Sequence, residues 1–147
     1  MQAHDKNQDV FKDVSHTISE IREAVIAVRR SKLPEISNIP SVGSFFKNPI
    51  VSNEEVRRLQ EKFPSLPVFP FSGAEKKLSA GYLIDTSDCQ SISSPIFSLY
   101  KDNKLVITHD GGATLPLLLL YAGEIIERVK EKFDINLVVE PEIFKEK

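Results

Sequence analysis

The chain has 147 residues, 41% hydrophobic and 27% charged, with a net charge of −2. That balance fits one globular domain, argues against a disordered chain, and supplies no global basic field for nucleic acid. One cysteine, Cys89, excludes a disulfide framework, and with only three histidines beside it no zinc set assembles. The first 16 residues are polar and patternless, so they read as a linker or frayed end, and they hold no signal-peptide core. The longest apolar run, Leu115 to Ala122, is too short to span a bilayer. The expectation is a cytoplasmic protein with neither a membrane nor a nucleic-acid partner.

Thr17-Ile18-Ser19-Glu20 fits a capping box. Ile18, Ile21, Val25 and Val28 follow at helical spacing, and Pro34 ends the helix near Lys32. Residues 33–43 form a loop with Pro34, Pro40 and Gly43. Ser44 to Ser52 reads as a short extended segment, off the centre of any sheet because of Pro49. Ser52-Asn53-Glu54-Glu55 is a second capping box, opening a helix with Val56, Leu59 and Phe63 on one face. Residues 63–73 carry three prolines and read as an extended connector. A third helix is expected over Lys76 to Asp85, with Leu78, Tyr82 and Leu83 inward.

Two strands follow, near Ser94–Tyr100 and Leu105–His109, joined by the turn Lys101-Asp102-Asn103. Gly111-Gly112-Ala113 leads to Thr114 as an N-cap, with Pro116 early in a helix reaching about Lys132. Asn136 to Phe144 reads as a final β-rich stretch. Helices and short strands alternate without a βαβ rhythm. The fold expected is an α+β sandwich, a small mixed sheet packed against helices.

Few residues suggest chemistry, and each has a bland reading beside it. In Gly43-Ser44-Phe45-Phe46-Lys47-Asn48-Pro49, alternation places Ser44, Phe46 and Asn48 on one face and Phe45 and Lys47 on the other. This suits a half-dry pocket with polar anchors; it equally suits a strand with one aromatic in the core. Arg29, Arg30 and Lys32 either anchor a phosphate or complement a helix C-terminus. Glu142, in Glu140-Pro141-Glu142, either faces a cleft or points to solvent. Gly111-Gly112 presents N–H groups to a phosphate, or makes a tight turn. Cys89 reads as a buried small hydrophobe, and His109 as a turn residue.

Taken together these stretches resemble one family. Lys32-Leu33-Pro34 followed by Gly43-Ser44-Phe45-Phe46-Lys47-Asn48-Pro49-Ile50-Val51-Ser52 looks like the segment around the catalytic serine of UDP-N-acetylenolpyruvoylglucosamine reductases. Lys77-Leu78-Ser79-Ala80-Gly81-Tyr82-Leu83-Ile84-Asp85 is similar to the family's K-L-A-A-G-W-L-I-D/E. Leu105-Val106-Ile107 before Gly111-Gly112-Ala113-Thr114, and then Val139-Glu140-Pro141-Glu142-Ile143, resemble its next two motifs, in the same order.

The resemblance implies that residues 17–147 are the C-terminal substrate-binding domain of a flavoenzyme of peptidoglycan synthesis, with roles in cell-wall biogenesis, cell shape and division. That enzyme uses FAD and NADPH to reduce UDP-N-acetylenolpyruvoylglucosamine to UDP-N-acetylmuramate. Hydride goes to the enolpyruvyl C3, and the serine matching Ser44 protonates the C2 carbanion. The glutamate matching Glu142 stabilises the enolic intermediate or shares the acid function. Lys32 and Asn48 fall near the substrate phosphates and uridine, Asn103 falls on the uridine side, and Lys47 is a further substrate-binding residue. The flavin region would lie upstream, in cis or in trans, and no cofactor is expected on this chain alone. A non-catalytic UDP-sugar-binding module is the alternative. Two departures stand out: Tyr82 replaces the usual tryptophan, and residues 86–95 replace a glycine-rich stretch.

Overall fold

The computed structural model describes residues 17–35 and 37–144. The first 16 residues, read above as a linker, lie outside them. The chain divides into two units, with the boundary between Ser31 and Lys32. The first contains most of α1 (Ile18–Lys32), which has no buried residue. Its capping box forms as read: the Thr17 N–H donates to Glu20 Oε2 at 2.7 Å, and the Glu20 N–H donates to Thr17 Oγ1 at 3.3 Å.

The second unit carries β1 (Ser41–Ser44), β2 (Ile50–Ser52), α2 (Asn53–Lys62), β3 (Val68–Pro70), β4 (Glu75–Leu78), α3 (Ala80–Thr86), β5 (Phe97–Leu99), β6 (Val106–His109) and α4 (Leu115–Phe133). The α+β class is as expected. In place of one mixed sheet, however, there are two antiparallel three-stranded sheets, ordered β1-β6-β5 and β2-β4-β3. Each sheet contains one hairpin, β5–β6 or β3–β4, and adds an antiparallel strand from earlier in the chain, β1 or β2.

Two other expectations change. The helix expected from Lys76 begins at Ala80, because residues 75–78 form the middle strand of the second sheet, paired on both sides. Sheet pairing overrides a weak local helix preference. The Ser79 side chain then caps α3, accepting from the Tyr82 N–H. The β-rich stretch at 136–144 makes a single bridge, Val139 with Phe46, and no strand.

Local chemistry explains most other boundaries. Ser52 accepts from the Glu55 N–H at 3.2 Å and opens α2. Asn103 closes the β5–β6 turn, its Oδ1 accepting from the Leu105 N–H. In α4, Leu118, Tyr121, Ala122, Ile125, Val129 and Phe133 recur at helical spacing and are all buried. They pack with Leu59, Leu78, Leu83, Ile84 and Ile107 into one core cluster. Residues 86–95 are held against α4, where Arg128 donates to the Asp88 carbonyl at 2.9 Å and to Ser91 Oγ at 2.7 Å. Among the described residues, no helix is long and apolar enough to cross a membrane.

Candidate functional site

The position of Ser44 follows from an irregularity in β1. Ser41 pairs with Thr108 and Ser44 with Val106, so three steps along β1 oppose two along β6. This is a β-bulge, and Gly43 sits within it at φ +74. A Cβ at Gly43 would meet nothing within 4 Å, so the glycine serves the left-handed backbone and not a close approach.

Beyond the bulge the chain leaves the sheet and runs between Leu105 and residues 138–140. The Phe45 N–H donates to the Leu105 carbonyl, the Lys47 N–H to the Val138 carbonyl, and the Glu140 N–H to the Phe45 carbonyl. Simple alternation therefore fails. Phe45 and Phe46 are both buried, 2% and 1% exposed. Their rings meet edge to face at 5.3 Å.

A cleft of about 320 Å³ opens here, lined by Ser44, Phe46, Lys47, Asn48, Ile50, Lys77, Leu105 and Glu140. That is room for a small-molecule fragment. Apolar walls come from Phe46, Ile50 and Leu105. Among the described residues, the Ser44 hydroxyl has no hydrogen-bond partner, and neither Lys47 nor Lys77 enters an ion pair. The lining holds two cations and one carboxylate, a net +1.

Asn48 is fixed by a single bond. Its Oδ1 accepts from the Ala80 N–H at 2.9 Å, at the first residue of α3. Because that partner is a donor, the oxygen must face it, and the Nδ2 donors are left for another partner. Asn48 thus keeps its Nδ2 donors without a partner among the described residues.

The six residues singled out from sequence are not all gathered in one place. Ser44, Lys47 and Asn48 share the cleft. Asn103 lines a different one, of about 540 Å³, with Ser79, Tyr82, Gln90, Lys101 and Lys104 among its walls. The two clefts adjoin at Gly81 and Leu105: Gly81 lines the larger, Leu105 the smaller, and a Cβ at Gly81 would sit 3.8 Å from Leu105 Cγ. Lys32 is exposed at the end of α1 and does not line the Ser44 cleft. Glu142 is exposed and also outside that lining, whereas Glu140 lies within it. Sequence reasoning missed Glu140 and Lys77. The signal for Lys77 was the Gly73 turn before Glu75 and the Ser79 cap after Leu78, which leave room for a short strand.

Residues 34–144 match the family model of the UDP-N-acetylenolpyruvoylglucosamine reductase C-terminal domain. The chain belongs to that family. Relatives bearing the reductase name include a Porphyromonas gingivalis protein, 39% identical over 84% of this chain and 37% of its own length. A Cupriavidus pinatubonensis protein is 38% identical over 91% of this chain and 40% of its own. One from Pseudomonas aeruginosa is 33% identical over 88% and 38%. The chain thus spans about two fifths of the length of these curated relatives. The reductase-family domain seen here is the part that carries the Ser44 cleft.

Proposed function

We propose that residues 17–147 are the substrate-binding and proton-donating domain of a cytoplasmic UDP-N-acetylenolpyruvoylglucosamine reductase acting in peptidoglycan synthesis. The observation that carries this reading is the Ser44 cleft, where an unengaged hydroxyl, the Lys47 ammonium and the oriented Asn48 amide share one wall system. In this reading FAD and NADPH belong to a flavin domain, in cis or in trans, and supply the hydride. This chain contributes only substrate contacts and the proton.

In this reading Ser44, which lines the cleft, delivers the proton. Its hydroxyl donates to the carbanion left at the enolpyruvyl C2, a base strong enough to take a proton from a weak acid held close. A glutamate of Glu140-Pro141-Glu142 stabilises the enolic intermediate or shares the acid function; the resemblance favours Glu142 and the geometry favours Glu140. Lys47 and the Asn48 donors hold the diphosphate-uridine end. Lys32 and Asn103 are proposed as further contacts to that end.

The test is made with this chain together with its flavin domain, fused or added. In Ser44→Ala, NADPH should still reduce the flavin, while reoxidation by the enolpyruvyl substrate slows at least a hundredfold. Glu140→Gln and Glu142→Gln, compared in the same half-reaction, identify the working carboxylate. Normal reoxidation in Ser44→Ala would remove the serine's role. Substrate binding without flavin reduction in the wild type would favour a non-catalytic module.

A further inference from the structure

Lys77 has no role in the site as read from sequence, yet the fold builds it into the cleft wall. It sits on β4, the middle strand of its sheet, directly opposite Ile50 of β2 and Phe69 of β3. Residues directly opposite in antiparallel strands share a face. The next residue, Leu78, is fully buried, so Lys77 lies on the outer face. Ile50 and Lys77 both line the Ser44 cleft, which makes this outer face one of its walls. Phe69, 44% exposed, continues the row.

The ammonium is held but not neutralised. Lys77 Nζ stands 4.8 Å from the centroid of the Phe71 ring. It has no carboxylate partner among the described residues. A cation over an aromatic face at a wet surface is bound less strongly than one hydrogen-bonded to a phosphate. Lys47 brings a second ammonium to the same lining, against the single carboxylate of Glu140. Two unpaired lysines in one small cleft suit a ligand with two or more negative charges.

From this arrangement we infer that Lys77 binds the diphosphate of the substrate, leaving the Phe71 ring when the anion arrives. The inference rests on the substrate-domain reading above and extends it to a residue which that reading does not use. The shared chemistry is a pyrophosphate, carried by a nucleotide sugar or by the nicotinamide dinucleotide, and the assignment here is to the nucleotide sugar.

The chain is titrated calorimetrically with UDP-N-acetylglucosamine, uridine and NADP⁺, as wild type, Lys77→Met and Lys77→Arg. Lys77→Met should weaken UDP-N-acetylglucosamine about tenfold or more, the worth of one hydrogen bond to a charged group. Uridine binding and the melting temperature should stay unchanged, and Lys77→Arg should recover most of the affinity. Equal UDP-N-acetylglucosamine affinity in Lys77→Met, or equal losses for uridine and the nucleotide sugar, would overturn the inference while leaving the substrate reading intact. A loss confined to NADP⁺ would overturn the assignment to the nucleotide sugar. Wild-type chain that binds no UDP-N-acetylglucosamine would remove the substrate reading itself, and this inference with it.

Discussion

Asn48 holds Ala80 with one end of its amide and, in the proposed function, binds the ligand with the other, and two substitutions separate these roles. Its Oδ1 satisfies the N–H of Ala80, a residue with no exposed surface, at 2.9 Å. Asn48→Ala removes that acceptor. A buried donor left bare costs about 1–3 kcal/mol. Asn48 is itself exposed, so water can enter the vacated space, and the cost settles at about 1 kcal/mol, comparable to loss of a helix cap. For a domain of this size that lowers the melting temperature by roughly 4 °C. Asn48→Asp keeps an oxygen in place and deletes the Nδ2 donors. At pH 7 it should melt within about 1 °C of wild type, yet bind UDP-N-acetylglucosamine about tenfold more weakly. Thermal unfolding and calorimetric titration on the same preparations read both effects. If Asn48→Asp loses as much stability as Asn48→Ala, the oxygen does not hold Ala80. If Asn48→Asp binds normally, the donors do not serve a ligand.

Glycine-to-alanine changes should have opposite signs at two sites. Gly43→Ala, at φ +74 in the bulge, should cost about 1–2 kcal/mol and misdirect Ser44, whereas Gly123→Ala, in α4 with nothing within 4 Å of the added methyl, should stabilise by up to about 1 kcal/mol; denaturant unfolding of both variants checks this. Burial pushes the Cys89 thiol from its ordinary 9.0 to about 11, despite Arg128 nearby. Native Cys89 should therefore resist a thiol reagent at pH 8 and react once the chain is unfolded. Between pH 9 and 11 the unfolded thiol loses its proton while the folded one keeps it, so stability falls as pH rises, by up to about 2 kcal/mol. In Cys89→Ala that alkaline decline should flatten, and an unchanged slope would show that Cys89 is not its source.

Features governed by neighbours along the chain are legible in the sequence itself. Thr17 and Ser52 are capping residues because a side chain reaches a backbone N–H three positions away, an interaction contained within four residues. The Lys101–Asn103 turn and the helical spacing in α4 are local in the same sense. Ordered motifs around Ser44 and Glu140-Pro141-Glu142 are enough to suggest the family.

Tertiary structure decided what depends on distant partners. Residues 75–78 are a strand because β2 and β3 flank them, and no pattern within four residues encodes two neighbours. The bulge at Gly43 exists only against β6, and beyond it the chain leaves the sheet to lie between Leu105 and residues 138–140, which buries both Phe45 and Phe46. Asn103 and Ser44 occupy adjoining clefts because Leu105 and Gly81 pack between them. The Glu140 N–H is tied to the Phe45 carbonyl, so Glu140 and not Glu142 borders the Ser44 cleft. Sequence by itself determined which chemical groups the domain carries and where its helices start, since short-range hydrogen bonds and periodicity set those. Which groups meet was decided by strand pairing and core packing, since contacts between residues far apart in the chain form only when the whole unit buries its apolar surface.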